Sequence, residues 1–361
     1  MEGLVAAESL VEHVTGQLSR LCRFTGTDAA EPARLVADLL GDAGRRPLAA
    51  GPAWRSDVAD DHSPVEFSVA FDRHGPPVLR LLAEAAVADP AVPADLTPAL
   101  DFLHRQAGRH DLGLARLEQV RDLFTTDRPQ GLFGMWHSLI LRDVPEFKVY
   151  LNPEIHGVAG SGALVREALG RLGAGPAYRV VRERALRPAD RLTFFALDLR
   201  DSGTARIKLY VSQHGAGLDE VARAAAAVPG VDPAEVTAFC ELASGSAGPY
   251  DRRPIIASYT FAPGAPAPIG YSVYVPIRSY VADDLEAYDR AHALLVRHGF
   301  DPAALEAAVT AVSRRPLRDG VGLIAHVSLR VGPPRPGLGV YLSSEAYAVT
   351  APQPQRIPAA S

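Results

Sequence analysis

Apolar and polar residues alternate along short stretches of this chain, and the stretches come in pairs. The plainest is ARIKLYV (205–211), where Ile207, Leu209 and Val211 interleave with Arg206, Lys208 and Tyr210. That period of two predicts a strand with one greasy face and one carrying two cations and a phenol. It pairs with RLTFFALDLR (191–200) through DSGT, a hairpin signal. Four more pairs follow the same plan: VEFSVAF (65–71) with PVLRLLAE (77–84) through RHGPP; GMWHSLILR (134–142) with EFKVYLN (146–152) through the turn at Asp143; PIIASYTFA (254–262) with GYSVYVPIR (270–278); and VGLIAHVSLR (321–330) with LGVYLSS (338–344). Helical periodicity marks 5–24, 31–41, 94–107, 113–124, 161–173, 217–228, 232–243, 283–298 and 302–313.

One or two helices therefore separate each hairpin from the next, an architectural repeat of roughly 60–70 residues. Short turns force antiparallel pairing, so a parallel doubly wound sheet is excluded. Ten antiparallel strands can form an open sheet, two sheets or a closed barrel. The apolar faces (Val65, Phe67, Val69; Phe147, Val149, Leu151; Ile207, Leu209, Val211) need helices to cover them. The polar faces meet either water or an enclosed lumen. Tyr150, Tyr210, Tyr274 and Tyr341 recur on the second strand of the last four hairpins, which is unusual for a solvent face. The expectation is α+β: a ten-stranded antiparallel barrel, polar inside and ringed by helices, spanning 1–348 as one domain. Residues 349–361, which include TAPQPQRIPAAS, have the composition of a disordered tail.

Composition narrows the function. The formal charge is −5, which argues against nucleic acid as a partner. Cys22 and Cys240 are the only cysteines and make neither a metal cluster nor a disulfide framework. The acid-bearing N-terminus MEGLVAAESLVEHVTGQL does not read as a signal peptide. No apolar run reaches the roughly 18 residues of a membrane span. A cytoplasmic protein is expected, as monomer or homodimer.

Arg80, Lys148, Arg206 and Lys208 share the polar side of the hairpins, and Arg278 is placed with them. Such clustered cations suit an anion, and diphosphate fits because Arg forks onto its oxygens while Lys adds a point charge. Surface ion pairs are the bland alternative. Phenols beside a diphosphate suit a carbocation, each ring attracting it by about 0.5–2 kcal/mol; core packing is the alternative. Glu66 lies on the polar face of its strand. There it either accepts an N–H from an electron-rich heterocycle or pairs with a lumen cation. Phosphate-loop, dinucleotide and zincin motifs are absent. The acids of DVADD (57–61) and DDLEAYD (283–289) lack the D-D-x-x-D spacing of a magnesium clamp.

Taken together, SPVEFSVAF, PVLRLL, EFKVYLNPE, ARIKLYV, YSVYVPIRSY and HVSLR…LGVYLSSEAY resemble the aromatic prenyltransferases of the dimethylallyltryptophan synthase type, with their αββα barrel, in the bacterial indole branch. The resemblance implies transfer of a dimethylallyl group from dimethylallyl diphosphate, a co-substrate, to the indole of tryptophan or a tryptophan-derived compound, with no metal or other cofactor. It assigns Glu66 to the indole N–H. Arg80, Lys148, Arg206 and Lys208 go to the diphosphate, and Tyr150, Tyr210, Tyr274 and Tyr341 to a cation shield. His326 stands where fungal members carry a fifth shield tyrosine, and is a candidate base. Trp136 or His137 stands near their catalytic lysine; Trp136 is assigned to the acceptor and His137 offered as base. Arg191 is a loose match for the group holding the amino-acid carboxylate. The alternatives kept open are a tyrosine, phenol or cyclic dipeptide as acceptor, and a non-catalytic barrel binding a phosphorylated or aromatic metabolite.

Overall fold

A computed structural model describes residues 7–72, 75–92, 94–202, 205–331 and 337–354. Two helices, α1 (Leu10–Thr25) and α2 (Ala30–Leu40), lead into the first hairpin, β1 (Val65–Asp72) and β2 (Val78–Glu84). Helices α3 (Thr97–Ala107) and α4 (Ala115–Glu118) precede β3 (Met135–Ile140) and β4 (Glu146–Leu151). Then come α5 (Val158–Arg171) and α6 (Gly175–Arg184), β5 (Arg191–Asp198) and β6 (Ile207–Gln213). Next are α7 (Leu218–Ala226), α8 (Pro233–Ser244), β7 (Ile255–Phe261) and β8 (Gly270–Val275). The last set is α9 (Asp284–Arg297), α10 (Ala303–Val312), β9 (Ile324–Val331) and β10 (Gly337–Ser343).

Every strand pairs antiparallel with its sequence neighbour, and β10 pairs with β1, so the sheet closes into the ten-stranded barrel expected from the sequence. Closure leaves no free edge. Outward side chains such as Phe67, Val69, Val149, Phe195, Ile207 and Leu209 are fully buried under the helices. On α1, Leu10, Val14, Leu18 and Leu21 form the covering stripe at helical spacing. Its start is fixed by a capping box between Ser9 and Glu12, and its end by Gly26 in the left-handed region (φ 71°).

Three differences from the sequence reading stand out. The helix expected over 113–124 is only α4 followed by a 3-10 turn, Arg121–Phe124. Leu117, Val120 and Phe124 still turn inward, so the period was real, but Val120 (φ −123°) breaks the helical backbone. Helix α6 was not anticipated, because its arginines mask the buried Ala177, Tyr178 and Val181. In the tail, Thr350 O accepts from Val321 N (2.9 Å), and Gln353 N donates to Ala282 O (2.7 Å), so 350–353 are docked. Residues 355–361 lie outside the described residues, as do 73–74 and 203–204 of two expected hairpin turns and residues 1–6 of the N-terminus.

Both acidic runs have structural partners. Asp283 caps α9 through Glu286 N (2.9 Å), and Asp284 accepts from the N–H groups of Gly322, Leu323 and Ile324. Asp61 accepts from Tyr347 N, and Asp60 pairs with Arg278 and Arg253. No helix among the described residues is long and apolar enough to cross a membrane.

Candidate active site

Strand register assembles the lumen. Arg80 lies opposite Ser68 and Ile140; Lys148 lies opposite Ser138 and Asp198; Lys208 lies opposite Ala196 and Thr260. These positions share the inner face, and Arg206 joins them from just before β6, its Nε donating to Asp198 Oδ2 (2.8 Å). All four cations lie toward the hairpin-turn end. A cavity of about 390 Å³ there is lined by Arg80, Arg206, Lys208, Tyr274, Arg330 and Tyr341. A narrower pocket of about 60 Å³ adds Lys148, Tyr150 and Tyr210.

Enclosing like charges away from water disfavours their charged forms. Burial lowers the Lys148 ammonium to about 7, with Arg206 and Arg80 pushing the same way against Asp198. Burial, then Lys148, Arg206 and Arg80, push Lys208 well below the ordinary lysine range. The Arg80 Nε is buried without a hydrogen-bond partner among the described residues. A bound polyanion would satisfy all of these groups together.

The tyrosines form an unbroken arc above the cations. Ring centroids are 5.5 Å apart for Tyr150–Tyr210, 5.6 Å for Tyr210–Tyr274 and 5.9 Å for Tyr274–Tyr341. His326 continues the arc edge-on to Tyr341 at 6.1 Å. Lys148 Nζ lies 5.0 Å from the Tyr150 centroid, so the face of that ring is turned toward the amine. Gly339 makes room here: a Cβ would lie 2.7 Å from Ser328 Oγ and 3.3 Å from the Tyr341 ring.

Glu66 lies at the other end of the lumen. It is buried, and no hydrogen bond from the described residues reaches its carboxyl; burial raises its pKa to about 8, opposed by Arg278. Trp136 lines the same end, stacked on Phe133 (4.3 Å) and Phe194 (5.1 Å). Arg191 stands at the rim, half-exposed and paired with Glu154.

Two assignments from the sequence require correction. Arg278 does not join the four cations at the hairpin end. It follows β8 at the Glu66 end, donating to Asp60 Oδ2 (2.8 Å), Ala325 O (3.0 Å) and the His326 ring (3.0 Å). His137 does not face the lumen. It lies opposite Val149 and packs outward on Phe102 at 4.9 Å, and burial holds its pKa down to about 3. Since Trp136 points in, its neighbour must point out.

Several lumen residues escaped the sequence reading. Glu84, Phe194, Asp198 and Arg330 were detectable, because each keeps the inward parity of its strand. Trp54 and Asp60 come from the loop before β1 and gave no periodic signal.

The closed barrel and its cation-and-phenol lumen place the chain in the class of aromatic prenyltransferases. The family model described as Tryptophan dimethylallyltransferase matches residues 33–307. The structure of 6-dimethylallyltryptophan synthase from Micromonospora olivasterospora in complex with DMASPP and Trp is 55% identical, with TM-score 0.93, covering 96% of this chain and 100% of that one. The 5-dimethylallyl tryptophan synthase from Streptomyces coelicolor in complex with DMASPP and Trp is 36% identical, with TM-score 0.89, covering 98% and 99%. The ternary complex of the prenyltransferase PriB with L-tryptophan and dimethylallyl thiolodiphosphate is 36% identical, with TM-score 0.88, covering 96% and 99%. The chain belongs to the tryptophan dimethylallyltransferase family.

Proposed function

We propose that this protein transfers the dimethylallyl group of dimethylallyl diphosphate to C6 of the indole of L-tryptophan. The choice of acceptor and of ring position draws on the 55% identity to a 6-dimethylallyltryptophan synthase. The observation carrying the chemistry is the order of groups along one closed lumen: cations at the hairpin end, then stacked phenols, then the buried Glu66 carboxyl.

In this reading Arg80, Lys148, Arg206 and Lys208 hold the diphosphate, with Arg330 at the mouth. They stabilise the charge that grows on the leaving oxygen as the C–O bond breaks and its electron pair departs with diphosphate. Tyr150, Tyr210, Tyr274 and Tyr341 shelter the allyl cation from water, and His326 closes the arc. Glu66 accepts the indole N–H, which orients the ring and enriches it in electrons. Trp136 borders the acceptor, and Arg191 at the rim takes its carboxylate. Ring π electrons form the new C–C bond, and the same ring carbon then releases its proton. Arg278 engages the His326 ring nitrogen and His137 lies outside the chamber, so that proton passes to water. The chain's own cations compensate the diphosphate, so no metal enters the scheme.

The test is direct. Purified protein with dimethylallyl diphosphate and L-tryptophan should give a product heavier by C5H8, with the ring couplings of a 6-substituted indole by NMR. EDTA should leave the rate within about twofold. No product, or preferred turnover of tyrosine or a cyclic dipeptide in parallel, would overturn the acceptor. A 5- or 7-substituted product would overturn the position alone.

A further inference from the structure

Glu84 closes β2 on the lumen side, directly opposite Trp136, which in turn lies opposite Tyr150. Its side chain is buried. One carboxyl oxygen accepts from Trp136 Nε1 at 3.2 Å, and the other accepts from Trp54 Nε1 at 2.9 Å. Trp136 belongs to the barrel wall, whereas Trp54 belongs to the loop before β1. A single carboxyl thus ties wall to loop.

The residue type is demanding. An indole N–H only donates, and here the two indoles reach different oxygens of the carboxyl. Glutamine offers one, and its amide N–H would confront the second donor. No Lys or Arg pairs with Glu84 among the described residues; hydrogen bonds from Ser56, Trp54 and Trp136 offset a burial that raises its pKa to about 7. If joining two rings were its only task, apolar packing would do so at lower cost.

What the carboxyl gains is orientation. It pins the edge of Trp136, while Phe133 and Phe194 hold the faces. Phe194 then meets Tyr150 and Tyr210 edge-on, so the clamped indole is continuous with the tyrosine arc. On the same strand, Leu82 packs against the Trp136 cluster and lies opposite Glu66.

We propose that Glu84 is a positioning residue: by clamping Trp136 and docking Trp54 beside it, Glu84 sets the wall against which the acceptor ring lies, and thereby selects the ring carbon offered to the cation. This rests on the tryptophan-prenylating reading above. It makes regiochemistry a property of a second carboxyl, distinct from the Glu66 that takes the acceptor N–H.

The experiment compares wild type, Glu84→Gln and Trp136→Phe with L-tryptophan and dimethylallyl diphosphate, measuring regioisomer ratios by NMR and KM for each substrate. In both variants a single isomer should become a mixture, and KM for tryptophan should rise about tenfold while KM for the donor stays within about twofold. Melting curves check that each variant is folded. Trp136→Phe removes part of the ring along with the N–H link, so, should Glu84→Gln not fold, Glu84→Asp, which keeps both acceptor oxygens but draws them back by one methylene, decides the matter. A folded variant with the wild-type isomer ratio and tryptophan KM overturns the role of Glu84 and leaves the tryptophan reading standing. A wild type that makes no prenylated tryptophan overturns both.

Discussion

The two ends of the lumen are built on different principles. At the hairpin end the four cations stand on β2 and β4, on β6 and just before it, held at fixed spacing by the barrel ladder. At the Glu66 end strand residues share the wall with a loop: Trp54 reaches Glu84, and Asp60 engages Arg278 and Arg253. In the proposed scheme the first end meets a constant chemical demand, a diphosphate, and the second holds one face of the acceptor, where a loop can be remodelled without disturbing the ladder. On that proposal strand geometry serves the shared step, and loop geometry the selective one.

The largest expected effect would separate the two ends outright. Glu66→Ala should lower kcat/KM for tryptophan by about 10²–10³-fold, since in the proposed scheme it removes the group that orients and activates the ring. Donor affinity should stay near wild type. Steady-state kinetics with each substrate varied in turn would show it, and an equal loss in donor binding would erase the distinction. Next in size, Lys208→Ala should raise KM for dimethylallyl diphosphate by about 10–50-fold with little change for tryptophan. Unchanged donor saturation would remove Lys208 from the diphosphate site.

The smallest effect sharpens the comparison through protons. Lys148 titrates near 7 among its protein neighbours. Diphosphate favours its ammonium form and so raises that pKa on binding. Between about pH 7 and the bound pKa, binding must take up a proton, and affinity should fall by up to about tenfold per pH unit as pH rises. Calorimetry of inorganic diphosphate at pH 8, in two buffers of different ionisation enthalpy, should detect about one proton taken up per site or less. Zero uptake would mean that the lysines are already charged.

The contrast between the ends also governs what could be read in advance. Arg80, Lys148, Lys208 and the four tyrosines were legible because inward and outward positions alternate along a strand, so residue type and parity suffice. Glu84 and Arg330 obey the same parity but stand at or next to a strand end, where alternation alone does not separate a lumen position from a loop. Arg278 was misplaced because it follows β8 in a 3-10 turn, Ile277–Ser279, where alternation no longer holds. His137 was offered beside Trp136 although adjacent strand residues cannot share a face.

The sequence by itself determined the ten strands, their pairing into hairpins and the polar character of one face, because these depend on local periodicity and short turns. Tertiary structure alone decided that β10 closes on β1, how the tyrosines align into an arc, and which loop reaches the Glu66 end. Those outcomes depend on strand tilt, register and contacts between residues far apart in the chain, none of which local periodicity encodes.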